Sequence, residues 1–474
     1  MSQESISKQD NKNMDYFGEG GKDLLQRKKP GDDLSKLMRK YINPQVVALN
    51  GNWGTGKTWF LEKWACQHQS KFADTYVVYF DAFAHDYISD PLPALVSALE
   101  EHTSLRDRNI KRMKIAAFKV AQIGARVGLA VATSGASELG MAGSGIIKSL
   151  GNQAEKDLEE YWRKEKGRGN AMKQFRSALE ALTSTDNGKR LIFVVDELDR
   201  CRPDYALEVL EVIKHFFSVL RVHFVLGVNL VALEDMVSAR YGAKDYANEY
   251  LEKFIHIKLT LPEEVSDGYV SKKNVLEYLD HLCQEANVPD HIGGWLKVRA
   301  KFVSSTNSIS LRQIEHIVSA VDLANSESKR TNNRGGVFPD GRYGIMVDLI
   351  ISKIVCNELY PKFLDATITP NELSSYLGPR FESVSSEEAR QWLWVYDTWL
   401  LLSQNESQID CPKTTPPLSS EEVELYLGGR IKDIQDSLAP FHSPLGKQEL
   451  RDLPKKIQRD WLDLFQFTEQ ETTL

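Results

Sequence analysis

Residues 51–58 read Gly51-Asn52-Trp53-Gly54-Thr55-Gly56-Lys57-Thr58. The stretch fits G-x-x-x-x-G-K-[ST]. The apolar run Val46-Val47-Ala48-Leu49 precedes it, and a helix is expected from about Lys57, with Trp59, Phe60, Leu61 and Trp64 as its apolar residues. Strand, glycine loop, helix is the context the phosphate-binding mechanism needs. Glycines let the backbone curl so that successive N–H groups face an anion, and the helix N-terminus adds positive potential. Gly51, Asn52, Trp53, Gly54, Thr55 and Gly56 are therefore expected to cradle phosphates. Lys57 is expected to bridge the β- and γ-phosphates, and the Thr58 hydroxyl to ligate Mg²⁺. The expected ligand is ATP with Mg²⁺.

Such a loop needs an acid at the end of a neighbouring strand. Leu191-Ile192-Phe193-Val194-Val195 runs directly into Asp196-Glu197. Asp196 is expected to hold Mg²⁺, and Glu197 to polarise the attacking water as general base. Arg200 follows closely. It is open to two readings, a contact with the γ-phosphate or a neighbouring subunit, and a local ion pair with Asp199. Asn229 closes a further apolar run, Val222 to Val228. It reads either as a residue that orients the lytic water or as a strand-end turn residue.

Continuous apolar strands are expected at Val46–Leu49, Thr75–Phe80, Leu191–Val195, Val222–Val228 and Phe254–Leu261, the last stopped by Pro262. Alternating with helices, they predict an α/β fold, a parallel sheet with helices on both faces. Helices are expected at Asp32–Tyr41 and Val231–Arg240, and after Pro262 at Asn274–Ala286, Leu311–Leu323 and Tyr343–Leu359. Asn325 to Gly336 reads as a basic polar loop. Cys411 to Pro417 reads as a linker before a last helical stretch.

Lys57 and Asp196 lie 139 positions apart (196 − 57), too far for a minimal core, so an insertion is expected at about 105–175. Its Gly/Ala/Ser-rich middle, 127–147, is long enough to span a bilayer. Glu138 at its centre and its small side chains favour a soluble helical hairpin instead.

The 474 residues are 42% hydrophobic and 26% charged with a net charge of −7, an ordinary globular balance that speaks against a generally nucleic-acid-coating protein. A local basic patch stays open, and so does a nucleic-acid partner. Five scattered cysteines without a CxxC pair indicate neither a zinc site nor a disulfide framework. The polar start, residues 1–22, reads as a flexible tail without a secretory signal core. A cytoplasmic protein is expected, with membrane association through 127–147 as the alternative.

At these residues the chain resembles the KAP family of P-loop NTPases. The segments that carry the resemblance are the loop 51–58 with its Trp53, Asp196-Glu197-Leu198-Asp199-Arg200-Cys201-Arg202-Pro203, Phe224-Val225-Leu226-Gly227-Val228-Asn229, and Tyr250-Leu251-Glu252-Lys253-Phe254-Ile255 leading to Leu261-Pro262. The resemblance implies an additional-strand, AAA-like core with a helical lid. Its implied arrangement is a core at 23–265, a lid at 266–330 and a helical C-terminal region at 331–474. Relatives often carry transmembrane helices between the two motifs and usually Asp where this chain has Asn229. Ser310-Leu311-Arg312-Gln313-Ile314 is similar to the lid motif, which makes Arg312 a candidate nucleotide contact. AAA-like cores often complete the site with a basic residue from a neighbour, for which Arg240, Lys253 and Arg200 are candidates. Bacterial members are associated with phage exclusion and membrane-linked assemblies.

Three functions compete. An ATPase switch, acting as a homo-oligomer or on a protein partner, is favoured by Glu197, since mere binding needs no base. A nucleotide-dependent scaffold with little turnover is the second, and a small-molecule kinase the third. No N-K-x-D guanine-reading motif follows the fourth strand, and no acceptor pocket is evident.

Overall fold

The computed structural model describes residues 23–88, 90–102, 112–113, 115–117, 170, 172–184, 189–216, 219–242, 246–266, 271–331, 340–378, 387–405, 409, 420–439 and 445–463. The tail 1–22, the stretch 127–147 with most of the expected insertion, and the linker at Cys411–Pro417 lie outside them. The chain divides into two compact units at Pro262/Glu263.

Among the described residues the first unit is built on five strands, β1 Val46–Asn50, β2 Thr75–Asp81, β3 Arg190–Asp196, β4 Val222–Val228 and β5 Ile257–Thr260, in the order β2-β3-β4-β1-β5. All four pairings are parallel. β4 thus separates the strand before the glycine loop from the strand that ends in Asp196, the additional-strand arrangement the resemblance implies. Alternate residues feed two cores, as the period of two in a strand requires. Val46, Ala48, Phe193, Val195, Phe224 and Leu226 face one side, under α3 (Pro91–His102) and helices Pro203–Lys214 and Leu230–Tyr241. Val47, Leu49, Ile192, Val194 and Val225 face the other, against Leu34 and Met38 of α1 (Lys28–Lys40) and Phe60, Leu61 and Trp64 of α2 (Lys57–Lys71). Both faces are covered, which is why these strands read as unbroken apolar runs.

In this unit two boundaries differ from expectation by three residues or more. α1 starts at Lys28 rather than Asp32, because Pro30 falls in the first turn, where an N–H has no helical partner to lose. The fifth strand is shorter than Phe254–Leu261: helix Ala247–Glu252 ends in a turn in which the N–H groups of Phe254 and Ile255 donate to the Leu251 carbonyl.

The second unit begins with a short antiparallel hairpin, Glu264–Ser266 with Ser271–Lys273, which the hydrophobic pattern did not announce. Helices follow at Asn274–Glu285, Asp290–Thr306, Leu311–Thr331, Asp340–Val355, Tyr360–Leu364, Pro370–Leu377, Glu387–Leu402, Ser420–Leu438 and Lys447–Ile457. They share one core that contains Trp392, Trp399, Trp461 and Tyr376. Helix Leu311–Thr331 overruns the start of the loop expected at Asn325–Gly336; Ala324 and Asn325 are both buried, so the packed face continues past Leu323. The helix expected at Tyr343–Leu359 stops at Val355, and a turn precedes Tyr360–Leu364. Within this core Arg299 and Asp348 form a buried ion pair at 3.3 Å, and the Trp399 indole N–H donates to the same carboxylate at 2.8 Å. Among the described residues no helix is long and apolar enough to cross a membrane.

Candidate functional site

Because the strands are parallel, the C-terminal ends of β1, β3 and β4 lie at one edge of the sheet. The loop 51–56 leaves β1 there with Gly54 at φ 78° and Gly56 at φ 83°, left-handed backbone that favours glycine. The Gly51 N–H donates to the Val228 carbonyl at 3.1 Å, anchoring the loop on β4. Lys57 opens α2 and is buried. Its Nζ donates to the carbonyls of Gly51 at 2.6 Å and Asn52 at 3.0 Å, so it lies folded along its own loop. Burial lowers its pKa, and the nearby charges of Asp199 and Asp196 work against that lowering.

Asp196 ends β3 and is 1% exposed. The Tyr79 hydroxyl, from β2, donates to its Oδ2 at 2.7 Å. Burial raises the pKa of this carboxyl, while hydrogen bonds from Tyr79 and Thr58 and the charge of Lys57 pull it down. The loop hydroxyl and the strand-end acid expected to share a cation therefore meet. The acid also occupies space that only a glycine leaves open: a Cβ on Gly227 would stand 2.1 Å from Asp196 Oδ1 and 2.6 Å from Leu61 Cδ1.

Glu197 follows with φ 57° and ψ 26°. A non-glycine residue in this region costs about 1–2 kcal/mol. The kink turns the chain into a 3₁₀ turn, Leu198–Arg200, and Arg200 meets Glu197 at 2.9 Å. The local ion pair of Arg200 is thus with Glu197 and not, as one expectation had it, with Asp199. Desolvation raises the Glu197 pKa, Arg200 opposes the rise, and Asp81, Asp196 and Asp199 add to it. Asp199 is buried and accepts from the Trp53 indole N–H at 2.7 Å.

Asn229 caps helix Leu230–Tyr241, its side chain accepting from the Val231 N–H at 3.2 Å. This helix-start role accounts for its side-chain oxygen. Arg240 pairs with Asp204 at 3.3 Å in an exposed position, and Lys253 lies 5.6 Å from the centre of the Tyr250 ring. Arg312 is exposed, near the start of helix Leu311–Thr331 in the second unit.

The structure brings Lys57, Thr58, Asp196, Glu197 and Asn229 to the edge at which β1, β3 and β4 end. Tyr79, Gly227 and the Trp53–Asp199 contact escaped the sequence reading. Only Gly227 carried a signal, a glycine inside a strand marking a close approach. Among the described residues no group of three or more His, Cys, Asp or Glu side chains could hold a metal by itself. A phosphate-bound Mg²⁺ needs few protein ligands, one or two carboxylates beside the phosphates, and Asp196 beside Thr58 fits that.

Residues 32–327 match the family described as KAP family P-loop domain, more than half of the chain. An uncharacterized protein of Methanocaldococcus jannaschii is 37% identical over 75 residues, 16% of this chain and 36% of that protein. Among solved structures, the chain resembles the Aeropyrum pernix ORC2 protein in its ADPNP–ADP complexes. The TM-score is 0.36 at 14% identity, covering 92% of this chain and 94% of that one. A DNA replication initiation factor follows with a TM-score of 0.30 at 10% identity, covering 87% and 95%.

Proposed function

We propose that this chain, which belongs to the KAP family of P-loop NTPases, is a Mg²⁺-dependent ATPase whose hydrolysis acts as a conformational switch in an assembly, formed with further copies or with a protein partner. The observation that carries the reading is the strand-end pair. Asp196 is buried beside the loop hydroxyl of Thr58, and Glu197 is turned by a strained backbone into a half-buried place one residue on. A binding site alone has no use for the second acid.

In this reading the N–H groups of 51–56 and the α2 N-terminus hold the phosphates. Lys57 leaves the carbonyls of Gly51 and Asn52 for the β- and γ-phosphate oxygens. Thr58 and Asp196 would hold Mg²⁺, which when bound neutralises charge on the β- and γ-phosphates. Glu197 takes a proton from water as the water oxygen attacks the γ-phosphorus. The bond to the β–γ bridging oxygen breaks, and ADP leaves with that electron pair. The raised Glu197 pKa suits a base, and its pairing with Arg200 must loosen before it can accept the proton. Asn229 stands at the end of β4 with its oxygen engaged in the cap, which leaves its NH₂ to orient water. Arg240 or Lys253 is the basic residue a neighbouring copy would contribute. Defence against phage is the biological setting proposed for the switch.

The Glu197–Arg200 contact favours one alternative, a nucleotide-dependent scaffold in which the base stays masked. The test is phosphate release from MgATP by the purified chain, measured beside ATP binding over a range of protein concentrations. The switch reading expects Mg²⁺-dependent release. Tight binding with no release at any concentration would support the scaffold.

A further inference from the structure

Trp53 is the third residue of the loop, and its large ring is half exposed. Apolar burial therefore gives little reason for a tryptophan there. Its one polar group does: the indole N–H donates at 2.7 Å to Oδ2 of Asp199, a carboxylate only 4% exposed. A hydrogen bond to an ionised acceptor is about twice as strong as a neutral one, and a buried carboxylate left without a donor is costly.

Topology gives this contact its reach. Trp53 follows β1 and Asp199 follows β3, and β4 lies between those strands. The bond therefore bridges two strand spacings, roughly 10 Å, across the edge where the site lies. Asp199 is also the largest of the neighbouring charges acting on Lys57. The turn Leu198–Arg200 that carries Asp199 carries Arg200 too, the partner of Glu197.

We propose that Asp199 is a positioning residue for the glycine loop, holding 51–56 in its phosphate-ready curl through the Trp53 indole N–H and tying that loop to the turn beside Glu197. The functional consequence rests on the reading of the loop as the ATP site; the restraint on the loop does not. Trp53→Phe keeps a smaller aromatic ring and removes the donor, at an exposed position where folding is not at risk. Asp199→Ala removes the acceptor, and Asp199→Asn keeps one without the charge.

The first readout needs no nucleotide. Amide hydrogen exchange in a peptide covering 51–56 of the free protein should speed up about tenfold in Trp53→Phe and in Asp199→Ala, less in Asp199→Asn, and no further in the double variant. The second is the ATP dissociation constant, expected to rise about tenfold in each single variant and not to multiply in the double, while kcat at saturating ATP changes less. Unchanged loop exchange in Trp53→Phe would overturn the proposal. So would a binding loss in Asp199→Ala that Trp53→Phe does not share, since Asp199 would then act on Lys57 directly. Faster exchange in a protein that binds no ATP would uphold the restraint and overturn the reading of the site.

Discussion

Both units bury charge, and they do so in opposite ways. In the helical unit Arg299 and Asp348 close on each other, 2% and 1% exposed, with Trp399 donating to the acid and the Trp295 ring 4.5 Å from the guanidinium. The acid has its partners within one packed core. In the sheet unit Lys57, Asp196 and Asp199 are each buried with no opposite charge in salt-bridge contact among the described residues; the acids are held by the Tyr79 hydroxyl and the Trp53 indole, near backbone in left-handed conformation. Among the described residues Lys57 has only carbonyls as hydrogen-bond acceptors, with the acids acting at longer range. Burying a charge is a matter of packing when the partner is built in. Where charges stand separately at the open ends of strands, with strain beside them, the arrangement fits a ligand that supplies what is missing.

The sharpest way to break this contrast is Lys57→Ala. Removing the cation from the loop is expected to abolish measurable ATP binding in a fluorescent-nucleotide titration while leaving the fold intact by circular dichroism. Retained affinity would remove the loop from the account.

On the helical side, Arg299→Met leaves Asp348 buried without its cation. Breaking such a pair costs about 3–5 kcal/mol, whereas replacing both partners by apolar residues is often neutral. Denaturant unfolding should therefore show a large loss for Arg299→Met and partial recovery in Arg299→Met/Asp348→Leu, partial because the Trp399 indole N–H loses its acceptor, with ATP affinity unchanged in both. A loss of affinity would mean that the pair is not merely structural.

The Glu197–Arg200 contact is partly exposed, with side chains 19% and 33% accessible, so its effect is smaller. Such pairs are worth about 0.2–1 kcal/mol, less than one pH unit. Arg200 lowers the Glu197 pKa. Arg200→Ala should therefore move the acid limb of the kcat/KM profile to higher pH by less than about one unit. An unmoved limb would assign that limb to another group.

The smallest effect concerns stability. The folded pKa of Asp196 is raised by burial above its ordinary 3.8. An acid shifted this way stabilises the fold below its unfolded pKa and loses that contribution as pH rises through the folded value. Asp196→Asn should accordingly raise the melting temperature of the nucleotide-free protein at pH 7, by about 2–4 °C for each kcal/mol relieved. The gain should vanish as pH falls below about 4. A lowered melting temperature at pH 7 would show that the carboxylate is satisfied rather than strained.

Much of this was legible in the sequence. The sheet was, because a parallel strand covered on both faces leaves an unbroken apolar run, as in Leu191–Val195, and because 51–58 has a fixed relation to the strand before it. The helical unit was less so. Helix Glu387–Leu402 buries Trp392, Leu393, Val395, Tyr396, Thr398 and Trp399 nearly all round, so no one-sided stripe announces it. Helix Asp290–Thr306 carries Gly293 and Gly294, which locally read as a break. At the site, sequence order picks out Lys57, Thr58, Asp196 and Glu197 because each sits at a fixed offset in a motif. Tyr79 and the Trp53–Asp199 bond depend on which strands lie side by side, and that is decided by the sheet order.

In the proposed ATPase Glu197 is the base of a site whose binding groups are separate from it. Glu197→Gln keeps the side chain's size and removes its basicity. Measured together in one preparation, ATP affinity should stay near the wild-type value, while phosphate release at saturating MgATP falls by about 10²-fold or more. Unchanged release, with binding intact, would mean that Glu197 is not the base.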